Sequence, residues 1–205
     1  VETFSCPWFG TLNALETLLH FKYGINPNYS ERAGAIMSGT RPPGADPQVV
    51  CESIRKKGVV DETFLPFEGI SSTEEFFQTS LSMTALINEA RKWLYTYDFN
   101  HEWVFQNAGT LHKQNQLMAT LKKSPLGVSV RAWEYDDQRQ LYVKDLGEAD
   151  THWCMLYGFK QGEYWNVFDS YGSENGGYLK KLAWEYPFGY AKVIYVDNAP
   201  LKLSL

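Results

Sequence analysis

Two hydrophobic patterns divide the 205-residue chain, and their order limits the folds open to it. Up to about residue 95, apolar residues recur at helical spacing, and the clearest run is Pro7 to Tyr23, which Gly24 follows as a stop signal. From about residue 113 the pattern changes to short apolar runs between glycine-containing turns, which predicts strands. A helical part followed by an antiparallel part indicates an α+β fold.

The individual elements follow from these patterns and from their boundary residues. Further helices are predicted after the cap residue Ser30, from Asp46-Pro47 to Lys57, over Met83 to Tyr95 and over His112 to Lys123. Strands are predicted at residues 127–133, 140–143, 151–159, 164–168, 177–182 and 190–196. We interpret residues 1–205 as a single domain, with a mainly helical lobe over residues 1–110 and a mainly β lobe over residues 111–205.

Charge and hydropathy argue against several kinds of partner. The net charge is -5 and the lysines and arginines are scattered, so nucleic-acid binding is not expected. No apolar run approaches the ~20 residues of a membrane span, so no membrane partner is expected. No histidine stands at zinc-site spacing and no phosphate-binding loop occurs, so we expect no metal and no cofactor.

The chain has three cysteines, Cys6, Cys51 and Cys154. Such a low, odd number argues against a disulfide framework and favours a reducing intracellular (cytoplasmic) or virion-associated location over secretion. Cys51 and Cys154 stand in apolar runs and are interpreted as core residues. Because the chain begins with Val1 and not with Met, it could be part of a longer polypeptide or a larger assembly.

Cys6 stands directly before Pro7, at the predicted start of the first helix. A helix N-terminus offers unpaired N–H groups and a partial positive charge, and both favour thiolate over thiol. Because the thiolate is the nucleophilic form, Cys6 is a candidate nucleophile. Taken alone, a cysteine in this position is more often structural.

His152 and Asp169 are candidates for the partners of such a nucleophile. A turn around Gln161-Gly162 joins their two strands into a predicted hairpin, which brings both residues to the same end of the ladder. A carboxylate there can accept the Nδ1–H of the imidazole and fix its tautomer. The alternative is an ordinary hairpin with a polar rim, in which Asp169 is a turn residue.

With these residues in place, the sequence resembles the papain family of cysteine peptidases over nearly its whole length. The family's nucleophile segment, Cys-Trp-Ala-Phe-Ser, is similar to Cys6-Pro7-Trp8-Phe9-Gly10, and Glu16 matches a glutamate of the helix that follows. The histidine segment resembles the chain at Thr151-His152-Trp153, and the family's Asn-Ser-Trp-Gly resembles Asp169-Ser170-Tyr171-Gly172. Similar segments in the same order are Tyr29-Ser30-Glu31-Arg32, Gly44-Ala45-Asp46-Pro47 and Glu174-Asn175-Gly176-Gly177-Tyr178.

The resemblance implies a papain-like fold, with a helical left lobe, an antiparallel, barrel-like right lobe and an active-site cleft between them. Cys6 would lie on the left wall and His152 on the right, with Asp169 orienting the histidine. The substrate would be a peptide or protein, bound by Gly44, Ala45, Asp150, Thr151 and Tyr171, the last of which would also shield the histidine. Ser129 or Arg131 would reach the floor of the pocket, although Arg131 is expected to face solvent.

Two departures from the family affect the expected chemistry. Asp169 replaces the family's asparagine, and its charge should raise the pKa of His152 and favour a thiolate–imidazolium pair. The family's oxyanion-donating glutamine stands six residues before the nucleophile, and the matching position precedes Val1.

The function predicted from the sequence is that of a cysteine-type endopeptidase, which hydrolyses peptide bonds through a Cys-His-Asp triad and a thioester intermediate. Two alternatives stay open. One is a catalytically weak or inactive papain-like module with a binding or structural role in a larger assembly such as a phage particle. The weaker one is an amidase of related fold that acts on peptidoglycan.

Overall fold

The computed structural model describes residues 1–106, 113–172 and 177–199. The helices in these residues are α1 (Cys6–Tyr23), α2 (Glu31–Ser38), α3 (Pro47–Lys57), α4 (Thr73–Phe76), α5 (Met83–Trp93) and α6 (Gln114–Leu121). All the predicted helices are found near their expected places, and the short α4 is an addition. The predicted starting residue of the last one, His112, lies outside the described residues.

Eight strands of the described residues form one sheet, in the order β1-β8-β2-β5-β6-β7-β4-β3. Neighbouring strands are antiparallel except for the single parallel contact between β4 and β7. This arrangement confirms the α+β prediction, and among the described strands the sheet is open and does not close into a barrel. The strand bounds are β1 (Tyr97–Phe105), β2 (Leu126–Val130), β3 (Glu134–Asp136), β4 (Leu141–Val143), β5 (His152–Lys160), β6 (Tyr164–Phe168), β7 (Leu179–Ala183) and β8 (Ala191–Asn198).

The sheet starts earlier in the chain than predicted, because β1 lies within the part expected to be mainly helical. This strand pairs with β8 along its whole length. Only Phe99 and Phe105 of its nine residues are buried, so its apolar alternation is too weak to stand out in the sequence. We call the residues up to Trp93 the helical lobe and the described residues from Tyr97 onward the sheet lobe.

Capping residues fix the helix ends much as their sequence positions indicate. The Ser30 Oγ accepts a hydrogen bond from the Ala33 N–H at 3.0 Å, and the Asp46 carboxylate accepts one from the Gln48 N–H at 2.7 Å. Gly24 ends α1 in the left-handed conformation, with φ of 69°. No helix in the described residues is both long and apolar enough to span a membrane.

The two lobes meet where α1 packs against β5. Gly10 permits this contact, since a Cβ at that position would lie 2.9 Å from Trp153 Cδ1 and 3.0 Å from Cys154 Cα. Trp8, Leu12 and Leu15 of α1 are fully buried, and they share a hydrophobic core with Met155 of β5. The N-terminal end of α1 is thereby held beside the first residues of β5, which is where the candidate site lies.

Candidate active site

Cys6 is the first residue of α1 and is partly exposed. Ser5 precedes the helix without a side-chain cap, and Pro7 occupies the first turn, where its missing N–H is not needed. The Cys6 N–H is among the groups that a helix leaves without an intrahelical partner. The thiol therefore lies at the positive end of an 18-residue helix, as the sequence predicts.

His152 begins β5, and Asp169 directly follows β6, so the hairpin places them at the same end of the ladder. The His152 Nε2 and the Asp169 Oδ1 are 2.7 Å apart, and both side chains are buried. The expectation that Nδ1 faces the carboxylate is wrong. Nε2 is the ring nitrogen farther from the main chain, and it reaches the Asp169 carboxylate beyond the end of the next strand. Nδ1 is therefore the nitrogen that remains for the hydrogen bond with Cys6.

Cys6 and His152 interact at the interface between the two lobes. Burial disfavours the charged imidazolium, but hydrogen bonds to Asp169 and Cys6 outweigh burial and raise the pKa of His152 to about 9. Burial also favours neutral Asp169, yet the contacts with His152 and Lys180 hold the pKa of this carboxyl below its usual value. The histidine is therefore positively charged and the aspartate negatively charged near neutral pH.

Two aromatic rings flank the His152 imidazole. The Tyr171 ring lies with its centroid 4.7 Å from that of the imidazole, and the Trp133 ring lies at 5.8 Å in an edge-on arrangement. Tyr171 therefore lies against the imidazole, and its hydroxyl donates to Glu2 Oε2 at 2.5 Å. Trp133 was not predicted, because the segment after β2 carries no signal of its approach to the histidine.

The sequence also gives no indication that Lys180 contacts the site. Its Nζ lies 2.8 Å from the Asp169 Oδ2, and both side chains are fully buried. Lys180 is part of a Lys180-Lys181 pair in β7, and only the alternation of that strand separates the buried lysine from the exposed one.

A cleft with a volume of about 350 Å³ opens beside Cys6 and His152. The predicted substrate-binding residues Gly44, Ala45, Asp150 and Thr151 all line it. Tyr171 does not, and it instead borders a smaller cavity on the other side of Cys6, together with Thr3 and Phe67. The cleft is also lined by Trp103, Gln106 and Tyr190, to which no sequence pattern points.

Asp150 is built into the wall of the cleft. Its Oδ2 accepts hydrogen bonds from Ser129 Oγ at 2.5 Å and from the Gly189 N–H at 3.1 Å, and its Oδ1 pairs with the buried Lys144. Ser129 lines the cleft, as one of the two predicted alternatives requires. Arg131 points away, where it pairs with Glu148 at 3.0 Å.

The other two cysteines, Cys51 and Cys154, are free thiols and buried, in agreement with a packing role. The part of the chain that the structure describes contains no cluster of three or more acidic, histidine or cysteine side chains suited to a metal ion.

No protein-family model matches the chain, and no curated protein matches its sequence. The fold, in contrast, has clear counterparts among solved structures. The cysteine protease CMS1MS2 of Carica candamarcensis, in complex with E-64, matches with a TM-score of 0.63 and 13% identity over 92% of this chain and 87% of that one. Bromelain of Ananas comosus, also in complex with E64, matches with a TM-score of 0.60 and 16% identity over 93% of this chain and 87% of that one.

Digestive procathepsin L 3 from the larval midgut of Tenebrio molitor matches with a TM-score of 0.61 and 16% identity over 94% of this chain. The chain covers 63% of that precursor. At these identities the comparison concerns the fold, and it confirms the resemblance found in the sequence: the chain has the fold of the papain-like cysteine proteases.

Proposed function

We propose that the chain is a cysteine peptidase in which Cys6 is the nucleophile, His152 its acid–base partner and Asp169 the residue that orients the histidine. The observation that carries the proposal is the line of contacts from Cys6 through the imidazole to a buried carboxylate, at the edge of a cleft. This arrangement supports the roles of a nucleophile, a base and an orienting group for the three residues.

The reaction would begin from a Cys6 thiolate and a His152 imidazolium. The sulfur bonds to the peptide carbonyl carbon, and the oxyanion that forms is stabilised in part by the Cys6 N–H at the start of α1. As the C–N bond breaks, the imidazolium gives its proton to the leaving amine, and a thioester remains. Neutral His152 then takes a proton from water, whose oxygen adds to the thioester carbonyl. Breaking of the C–S bond releases the acid and restores the thiolate.

An extended peptide would bind along the cleft. Gly44 and Ala45 lie on the helical-lobe side, where their main-chain groups can pair with those of the substrate, while Thr151 precedes the histidine on the opposite side. The aromatic side chains Trp103 and Tyr190 make the pocket beside Cys6 partly apolar. We therefore expect peptides with an apolar side chain near the scissile bond to be the better substrates.

The test combines hydrolysis of a protein substrate with labelling of Cys6 by iodoacetamide. Cys6→Ala should reduce hydrolysis by ~10⁴-fold or more, whereas the control Cys51→Ala should retain most activity. Exposure alone would favour labelling at Cys6, so His152→Ala is the decisive variant: it should slow labelling at pH 6 by about 10-fold or more. E-64, present in two of the similar structures, should block hydrolysis by the wild-type protein.

The pH dependence of hydrolysis gives an independent check. Activity should fall as pH rises through about 9, because deprotonated His152 cannot supply the leaving amine with a proton. Absence of hydrolysis, together with Cys6 labelling that His152→Ala leaves unchanged, would contradict the proposal and favour a binding or structural role.

A further inference from the structure

Lys180 is a buried lysine inside the sheet lobe. It lies in β7 between the exposed Leu179 and Lys181, and its own side chain is fully buried. Its Nζ donates a hydrogen bond to the Gly177 carbonyl at 2.5 Å and lies 4.9 Å from the centroid of the Trp133 ring. A lysine charge is rarely buried unless it is paired, so this placement requires a partner.

That partner is the Asp169 carboxylate, which contacts two cations. Its Oδ1 faces the His152 Nε2 at 2.7 Å and accepts the Tyr171 N–H at 3.2 Å, while its Oδ2 faces the Lys180 Nζ at 2.8 Å. The carboxylate therefore faces a cation on each side, through a hydrogen bond with His152 and through an ion pair with Lys180 that lacks hydrogen-bond geometry. The ring of Trp133 lies near both cations, with its centroid 4.9 Å from the Lys180 Nζ and 5.8 Å from that of the imidazole.

We propose that Lys180 is a positioning residue of the peptidase site: it holds the Asp169 carboxylate in place and shares its negative charge, so that His152 can still release its proton. This inference rests on the proposed function. It assigns to Lys180 no contact with the substrate or with the reacting atoms.

The charges explain why the lysine matters. With Cys6 as thiolate and His152 as imidazolium, the signs alternate from Cys6 through His152 and Asp169 to Lys180 and sum to zero. Without the lysine, the full charge of Asp169 would act on the imidazolium, which would bind its proton more tightly. Proton transfer to the leaving amine would then be slower. Other titratable groups that act on this cluster are Cys154 of β5, Tyr142 of β4 and Tyr171.

The first test compares Lys180→Met with Lys181→Met, which removes the same charge from the exposed face of the same strand. The chain has four histidines, so His152 can be followed by NMR of histidine-labelled protein. In Lys180→Met the pKa of His152 should rise by about one unit or more. kcat should fall ~10- to 100-fold with little change in KM, and Lys181→Met should match the wild type in every measurement. An unchanged His152 pKa in folded Lys180→Met would overturn the inference.

The double variant Asp169→Asn/Lys180→Met covers the case in which Lys180→Met does not fold. Asp169→Asn leaves the buried Lys180 charge without its carboxylate, whereas the double variant removes both charges, so the double variant should resist denaturation better than Asp169→Asn. If it is as unstable as Asp169→Asn, the Lys180 charge does not depend on the carboxylate and the inference is wrong. The NMR titration requires no peptidase activity, so this failure is distinct from a failure of the proposed function, which would appear as unreactive Cys6 in the wild type.

Discussion

Buried carboxyl groups of the helical lobe and of the sheet lobe differ in whether a cationic side chain contacts them. Burial raises the pKa of Glu16 on α1 to about 7 and that of Glu31 on α2 to about 8, and neither forms an ion pair within the described ranges. In the sheet lobe, Asp169 is also buried, and burial favours its neutral form, yet the contacts with His152 and Lys180 hold its pKa below the usual value. The comparison teaches that cationic partners can outweigh burial in deciding whether a carboxylate is charged.

The two lobes should consequently lose stability with rising pH in different ranges. The carboxyl group of Glu16 has a raised pKa in the folded state. It therefore destabilises the folded protein progressively as pH rises from its unfolded pKa of about 4.3 to its folded pKa of about 7. His152 also has a raised pKa, so its contribution is complete below the unfolded value of about 6.5 and is lost as pH rises to about 9.

The largest expected effect comes from breaking the buried ion pair of the sheet lobe. Asp169→Asn would leave the Lys180 charge without its carboxylate, and we expect a loss of about 3–5 kcal/mol in the free energy of unfolding at pH 7. Denaturant unfolding measures this loss. A variant as stable as the wild type would show that the pair of Asp169 and Lys180 does not stabilise the folded protein.

A somewhat smaller effect is expected where the two lobes meet. Gly10→Ala would place a methyl group 2.9 Å from Trp153 and 3.0 Å from the Cys154 main chain, and α1 would have to move away from β5. We expect a cost of about 1–3 kcal/mol, together with a loss of the proposed peptidase activity because Cys6 moves relative to His152. Gly158→Ala is the matched control, since its Cβ would meet nothing closer than 3.5 Å. Equal effects of the two substitutions would contradict the close contact.

Glu16→Gln tests the helical side of the comparison. The amide can still accept the hydrogen bond that Glu16 Oε1 receives from the Tyr29 N–H at 2.7 Å, but it has no charge to bury. The fall in unfolding free energy between about pH 4.5 and pH 7 should therefore be shallower than in the wild type. Glu68→Gln, at an exposed position, should leave the slope unchanged. If Glu16→Gln keeps the wild-type dependence of unfolding free energy on pH, as Glu68→Gln should, then the burial of Glu16 does not cause that dependence.

The smallest effect is expected for an ion pair at the surface. Lys22 of α1 and Asp197 of β8 are 2.5 Å apart, but their side chains are 39% and 71% exposed. Because water screens this pair, Asp197→Asn should change the free energy of unfolding by less than about 1 kcal/mol. A loss of stability close to that of Asp169→Asn would refute the claim that an ion pair stabilises this protein strongly only when it is buried.

Much of the fold could be predicted from the sequence because local signals carry it, whereas the choice of Cys6, His152 and Asp169 depended on the family resemblance and stays a prediction. Gly24, Ser30 and Asp46 mark helix ends, and the Gln161-Gly162 turn sets the hairpin that joins His152 to Asp169. The side chains that surround this pair depend on contacts between distant segments. Nothing near Lys180 or Trp133 in the sequence indicates that they pack beside the histidine. Trp103 was missed for another reason, since β1 lacks a clear alternation.

The most direct test of the proposed triad is the pKa of His152, measured by NMR in the wild type and in Cys6→Ala. Since Cys6 contributes to the raised value of about 9, the pKa should be near 9 in the wild type and distinctly lower in Cys6→Ala. The same value in both proteins, or a wild-type value near the ordinary 6.5, would show that sulfur and imidazole do not act on each other.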